Sequence, residues 1–418
     1  MPDNFVVQVH NHHKHLTPTD IAQFIRLGEC NRYLKLRLHE RKKGSGFLRD
    51  YGVAPQSIPP LLTLSGQRFE ERVERAARRS FTVLRCGGTA GNGDVGDEDV
   101  GVVPPAQRND NQLVIGHARS LPPGGTLLLF QPRLEAMIGE WPFIGDVDIL
   151  RLDRNEEGSL SALIVDMKST TSAKLEHRLQ VAFYHRMLLS IMGDADVAFA
   201  RVDLGIIYRG PANGNGDDED GNADALTTEE AAQRTAARTL LGVPDALLEI
   251  VARPEDFLSE VEDLVAGPEA VVSKIARVRH ADTFFHLSYK CDGCLYNEWC
   301  MKAAFQGDDL SLIPTLTASE KRTLLAAGLD TVAAVAALMT LTDDLGRKAR
   351  LVVAEGQERA VGALRASPLG PRLSEIVHRA RQVARSRHRE IEKAEERREE
   401  AAAETGIGDE LICGGLIA

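Results

Sequence analysis

The chain has 418 residues, 43% of them hydrophobic, and a formal net charge of −11 at pH 7. That length supports a sizeable core in two or three structural units. The acidic balance argues against a generally basic coat for nucleic acid, though it says little about any one cleft. No run of about 18 or more apolar residues occurs, and residues 1–16 lack the charged-then-apolar order of a signal peptide, so a cytoplasmic protein with no membrane span is expected.

Histidines 10, 12, 13 and 15 read as an exposed polar arm, because no second group of ligands flanks them. Thr17-Pro18-Thr19-Asp20 is a helix start, and the pattern runs helical to residue 43, carrying Cys30. A second helix is predicted over 61–81, with Ser65 as N-cap and Glu70 one turn past Gly66. Basic residues cluster on both helices: Arg32, Lys35, Arg37, Arg41, Lys42 and Lys43, then Arg72, Arg75, Arg78 and Arg79. Each cluster reads either as a solvated face or as a set of phosphate contacts. Stretches 91–101 and 211–225 are acidic, rich in glycine, and read as solvated insertions.

Residues 104–142 read as loops and strands, with 127–137 a strand candidate. The most informative stretch follows. Residues 143–152 form a predicted strand, 153–158 a polar turn containing Gly158, and 160–165 a short apolar strand. A hairpin of this length brings Asp148 close to Asp166, and alternation puts Lys168 on the face of Asp166. Two carboxylates and an ammonium together suit a hard divalent cation and a phosphate, although an ion pair at a strand end is the plainer reading. Gln180 and Tyr184 lie four apart on a predicted helix and share a face. Residues 196–209 form another predicted strand, and 231–252 and 256–279 are helical by apolar spacing.

Cysteine is scarce, at six residues, yet Cys291, Cys294 and Cys300 fall within ten positions. In a reducing compartment such a group points to metal or redox chemistry: zinc with His286 or a distant cysteine as fourth ligand, or an iron–sulfur cluster on four thiolates. Residues 310–338 read as short helix, turn at Gly328, short helix. From 346 onward the chain reads as helical and charged, basic over 372–389 and mixed over 390–404, which leaves a solvated helix and a partner-binding tail both open. No G-x-x-x-x-G-K-(S/T) occurs, so any motor is another polypeptide.

The ordered set Gly145-x-x-Asp148, Asp166-x-Lys168 and Gln180-x-x-x-Tyr184 resembles the PD-(D/E)XK nuclease core, in its RecB-like branch. The resemblance implies an α/β fold with a central mixed sheet flanked by helices. It implies Mg²⁺ or Mn²⁺ held by Asp148, Asp166, the Met167 carbonyl and Glu70, the acid of a G-x-x-x-(E/H) helix motif. Lys168 would assist the attacking water, with Gln180 and Tyr184 beside the active site and the DNA. The C-x-x-C-x5-C spacing with a lone upstream cysteine is similar to the iron–sulfur RecB-like nucleases, including the AddB-type and CRISPR adaptation nucleases. It implies a 4Fe–4S cluster on Cys30, Cys291, Cys294 and Cys300 that staples a helical subdomain.

Residues 310–338 resemble the helix-hairpin-helix-like module that follows the cluster in some of these nucleases, with a packing element as the alternative. The expected organisation is an N-terminal helical segment to residue 60, a nuclease core over 61–305, that module over 306–345, and a charged helical region over 346–418. The implied activity is hydrolysis of single-stranded DNA or DNA ends in repair or anti-phage defence, with a separate helicase as a candidate partner. A DNA-binding scaffold and a redox sensor built on the cluster are the rivals.

Overall fold

The computed structural model describes residues 15–43, 60–86, 108–210, 227–342 and 350–405. Both acidic insertions, His10, His12, His13 and Cys413 lie outside them. The chain divides into two units, one ending at Thr283 and the other beginning at Phe284.

The first unit runs α1 (Pro18–Arg26), α2 (Asn31–Lys43), α3 (Pro60–Ala77), β1 (Thr82–Arg85), α4 (Asn111–Ser120), β2 (Thr126–Phe130), β3 (Arg133–Ile138), β4 (Trp141–Asp146), β5 (Ile149–Arg154), β6 (Leu160–Lys168), α5 (Leu175–Asp194), β7 (Arg201–Tyr208), α6 (Thr228–Leu241), β8 (Leu247–Ile250), α7 (Pro254–Val265) and α8 (Val271–Arg277). Among the described residues, a six-stranded sheet has the order β1-β2-β5-β6-β7-β8. It is mixed: β1–β2 and β6–β7 pair parallel, and the other neighbours pair antiparallel.

β6 is apolar along its length because both its faces are covered. Leu163, Val165 and Met167 pack with Phe69 and Val73 of α3 and Leu241 of α6. Alternation turns Ile164, Asp166 and Lys168 to the other face, where α5 lies and Gln180 reaches Asp166.

β2–β3 and β4–β5 are the two arms of one long hairpin. Its register runs unbroken from Phe130↔Ile149 to Arg133↔Asp146. The ladder nevertheless changes sheet between those pairs. Gln131 takes a left-handed φ of 53°, and the bonds Gln131 N–H to Asp148 O (3.0 Å) and Val147 N–H to Pro132 O (3.0 Å) carry the chain around the bend. Beyond it, β3 and β4 form a separate two-stranded sheet.

Several expectations are corrected. Gly28 (φ 71°) and Glu29 (φ 58°) break the first helix, so Cys30 sits between α1 and α2 and not within a helix. Ser65 is interior to α3, which starts at Pro60. α4 replaces loop or strand over 111–120. The helix predicted over 231–252 stops at Gly242, whose left-handed φ of 71° caps it, and residues 247–250 instead extend the sheet against β7. The helix predicted over 256–279 is interrupted between α7 and α8, where Gly267 (φ 87°) and Pro268 fall.

The second unit contains α9 (Asn297–Gln306), α10 (Ala318–Ala326), α11 (Val332–Ala336), β9 (Met339–Leu341), β10 (Leu351–Val353), α12 (Glu358–Arg365) and α13 (Leu373–Thr405). Its own core gathers Leu310, Leu324, Val335, Val361, Ile376 and Val377. Gly328 (φ 79°) turns the chain between α10 and α11 as the sequence suggests. β10, paired antiparallel to β9, is a departure from the helix expected there. No described helix is long and apolar enough to cross a membrane.

Lys35 is wholly buried and donates to the Ile275 and Ala276 carbonyls, at 3.4 and 2.7 Å, near the end of α8. Burial lowers its pKa from 10.5 to about 8. Between those values the unfolded chain binds more protons than the folded one, so this group makes stability rise with pH across that window. Urea melts of wild type and Lys35→Met over the same range are expected to show a steeper rise in wild type.

Candidate active site

Asp148 stands at the bend of the long hairpin, and its Oδ2 accepts the Met167 N–H at 2.6 Å. Met167 separates Asp166 from Lys168, so this one bond clips the hairpin to the strand that carries the second acid. Lys168 Nζ lies 3.0 Å from Asp166 Oδ1 and 2.8 Å from Oδ2. Gln180 bridges the two: its Nε2 donates to Asp166 Oδ1 at 3.1 Å, and its Oε1 accepts from Lys168 at 3.3 Å. Asp166 is 1% exposed, so these contacts replace its solvent.

One turn further along α5, the Tyr184 hydroxyl donates to the Asp146 carbonyl at 2.8 Å and braces the hairpin where it bends. Gly145 makes that approach possible. A Cβ there would stand 2.7 Å from Tyr184 Cε1 and 3.0 Å from Pro18 Cδ. This is a steric reason for the glycine of Gly145-x-x-Asp148. Gly66 has none, since a Cβ there meets nothing. Glu70 follows Phe69, which anchors α3 in the core, and it lines the same cavity of about 760 Å³ as Asp148, Asp166 and Lys168. Gln131 Nε2, from the bend, lies 3.5 Å from Glu70 Oε2.

Burial, then the charge of Asp166, pushes the Asp148 carboxyl well above its ordinary range, against the opposing pull of Lys168 and the Met167 N–H. Burial also raises Glu70, with Arg85 and Lys168 opposing. Burial works against the Lys168 charge, but Asp166 and Asp148 outweigh it and the net shift is upward. Tyr184 is raised well above its usual value by burial and the two aspartates, so it stays a phenol. His177 is lowered to about 4 by burial, with Lys168 adding to the effect. The cavity is thus lined by four acids, Glu70, Asp146, Asp148 and Asp166, against Lys168 and Arg133, an excess of negative charge that a hard dication relieves through oxygen ligands. Asp166 is the neighbouring charge that acts most strongly on Asp148. Among the described residues no three His, Cys, Asp or Glu side chains are gathered into a ready ligand set.

Sequence reasoning missed Arg133 and Asp146, which also line the cavity. Directly opposite in register, they form a two-pronged pair: Arg133 Nε and Nη2 lie 2.8 and 2.7 Å from the Asp146 carboxylate. Extending the hairpin register back from Asp148 would have found them. Among the described residues of the basic clusters, none of Arg32, Lys35, Arg37, Arg72, Arg75, Arg78 and Arg79 lines this cavity. Arg32 and Lys35 are buried, Arg37 pairs with Asp20 at 2.6 Å, and Arg78 pairs with Glu74 at 2.7 Å.

In the second unit, Cys294 and Cys300 are buried and Cys291 is half-buried. Backbone N–H groups point at two sulfurs: Ser288 at Cys291 Sγ (3.4 Å) and Tyr296 at Cys294 Sγ (3.5 Å). His286 Nδ1 faces the Ser311 hydroxyl at 3.3 Å. Cys30 belongs to the first unit.

Residues 98–301 match the family model described as the PD-(D/E)XK nuclease superfamily, and this stretch is a domain of that superfamily. The match takes in Asp148, Asp166, Lys168, Gln180 and Tyr184 and stops short of Glu70 and Cys30. No curated protein matches the chain. The superfamily implies nuclease activity, typically with a divalent metal such as Mg²⁺.

The raised Asp148 yields a sign that can be tested. A carboxyl whose folded pKa exceeds its unfolded value contributes most below the unfolded pKa, and that contribution is lost as pH rises through the folded one. Asp148→Asn is therefore expected to stabilise the metal-free protein near neutral pH, because it removes a carboxylate charge that burial and Asp166 disfavour. It should also remove the stabilisation that added Mg²⁺ or Mn²⁺ gives wild type. Thermal melts with and without metal read both effects.

Proposed function

We propose that the protein is a metal-dependent deoxyribonuclease acting on single-stranded DNA or DNA ends. The observation that carries this reading is the Asp148–Asp166–Lys168 constellation, Asp166 buried and the other two half-buried, with both acids held by hydrogen bonds at one end of a mixed sheet. Asp148, Asp166, the Met167 carbonyl and Glu70 would hold Mg²⁺ or Mn²⁺. A bound dication supplies Lewis-acid stabilisation of charge developing on a phosphoryl oxygen.

The protein's own groups do the rest. Lys168, kept charged by the two aspartates, orients the attacking water and places its ammonium beside the scissile phosphate. Gln180 fixes the orientation of both Asp166 and Lys168. Tyr184 holds the backbone that aims Asp148. A separate helicase or other nucleic-acid-processing subunit would supply the DNA end in a repair or defence setting.

Lys168→Ala is expected to reduce metal-dependent cleavage of labelled DNA by about a hundred- to ten-thousand-fold, the usual scale for a positioned proton-handling group, with DNA binding kept. Undiminished cleavage in Lys168→Ala would rule this mechanism out. A wild type that binds DNA and never cuts it with any divalent metal would favour the scaffold reading.

We also propose a 4Fe–4S cluster on Cys291, Cys294, Cys300 and Cys30, the ligand set that the resemblance implies. It is supported by the spacing of these residues and by the backbone N–H groups directed at two of the sulfurs, a setting that suits thiolate ligands. Anaerobically purified wild type is expected to carry iron and acid-labile sulfide in equal amounts, and Cys294→Ser to lose both. Zinc in place of iron would overturn the assignment.

A further inference from the structure

A second cavity, of about 540 Å³, adjoins the catalytic one, and His15 lines both. The floor that joins them is one face of the β3–β4 hairpin. On β4, Trp141, Phe143 and Gly145 are buried, while Pro142, Ile144 and Asp146 face outward. On β3, Leu134 and Ile138 are buried, and Arg133, Glu135 and Met137 sit opposite that outward row. The register sets Arg133 against Asp146, Glu135 against Ile144, and Met137 against Pro142. Arg133, Ile144 and Asp146 line the catalytic cavity, while Glu135, Met137 and Pro142 line the second. A third strand segment borders β4, because Leu16 bridges Phe143 in parallel and turns its side chain inward. Alternation then turns His15 outward, and its Nε2 meets Glu135 Oε1 at 2.5 Å.

The result is a continuous lane of about 13 Å along β3, at roughly 3.3 Å per residue, starting at the catalytic acids. Its chemistry changes along its length. At the catalytic end stands the Arg133–Asp146 pair. Ile144 stands midway, opposite Glu135, and at the far end are Pro142 and Met137, the last 55% exposed. The His15–Glu135 pair divides the two seats. Asp146 is held by Arg108 as well as Arg133, and Glu135 by His15, so the acids of the lane are each engaged by a neighbour and the surface between them is apolar. A duplex, which shows phosphates on its outside, finds no basic stripe here. Unstacked bases find faces to lie on.

We propose that this lane seats a single strand of nucleic acid as it leaves the catalytic cavity, with its bases against Ile144, Pro142 and Met137. The assignment deepens the nuclease reading and rests on it for direction only. It also predicts that strand binding depends weakly on salt, because few counterions are released.

The test is fluorescence anisotropy of a labelled oligothymidylate on full-length Lys168→Ala protein, alone and with a second substitution at exposed Met137. Met137→Asp is expected to weaken binding about tenfold, and Met137→Trp to tighten it by a similar factor through added stacking surface. Urea melts verify that both variants are folded. Equal Kd values in all three proteins, parallel weakening by both substitutions, or a duplex that binds better than the single strand would each overturn the lane. Separate cleavage assays keep the two readings distinct. Metal-dependent cleavage with Met137-independent binding refutes the lane and leaves the nuclease. Met137-dependent binding to a wild type that cuts nothing supports the lane and refutes the nuclease.

Discussion

Two neighbouring carboxylates, Asp166 buried and Asp148 half-buried, repel each other, and the first unit is arranged to tolerate that repulsion. Asp148 is steadied by the Met167 N–H, Asp166 by Gln180 and Lys168, and the lysine by both acids. Any one of these groups without the others would be a buried charge lacking compensation, at a cost of several kcal/mol. The sheet end, the bend in the hairpin and the face of α5 are each needed to bring the three together. The set stays electrically strained even so, as the raised Asp148 and Glu70 carboxyls show. A site of this kind trades stability of the free protein for affinity toward a cation.

The bend is the mechanical counterpart of that electrostatics. A straight hairpin would keep all its residues in the main sheet. The left-handed Gln131 and the change of sheet at 147–148 let one hairpin serve two purposes. Its near half, β2 and β5, lies within the six-stranded sheet. Its far half is a separate ribbon whose outer face leads away from the acids. Gly145 and Tyr184 secure the junction, the one by lacking a Cβ and the other by bonding the Asp146 carbonyl. Asp148 therefore marks both the end of a buried strand and the head of an exposed lane.

The chemistry of the centre was legible in the sequence because it is local. Asp166 and Lys168 share a face by strand alternation, Gln180 and Tyr184 share one by helical spacing, and the turn between the strands sets Asp148 opposite Asp166. Period and spacing carry such relations without any knowledge of what packs where. The surroundings were less legible. α4 was missed and β8 was read as helix, because the tendency of an apolar run yields to an open sheet edge. The arginine-rich helix faces suggested phosphate contacts, yet Arg37 and Arg78 are paired to acids, and Arg32 and Lys35 are buried.

By itself, then, the sequence determined that Asp166 and Lys168 share a strand face and that Gln180 and Tyr184 share a helix face, and its resemblance to a family implied the mixed α/β fold around them. It determined as well that three cysteines fall close together. Only the tertiary structure decided that Glu70 lies within the field of Lys168 and that His15 links two cavities. Those relations span separations of tens of residues and depend on where a hairpin bends. That bend follows from the packing of α1 and α5 around Gly145, which no local pattern encodes.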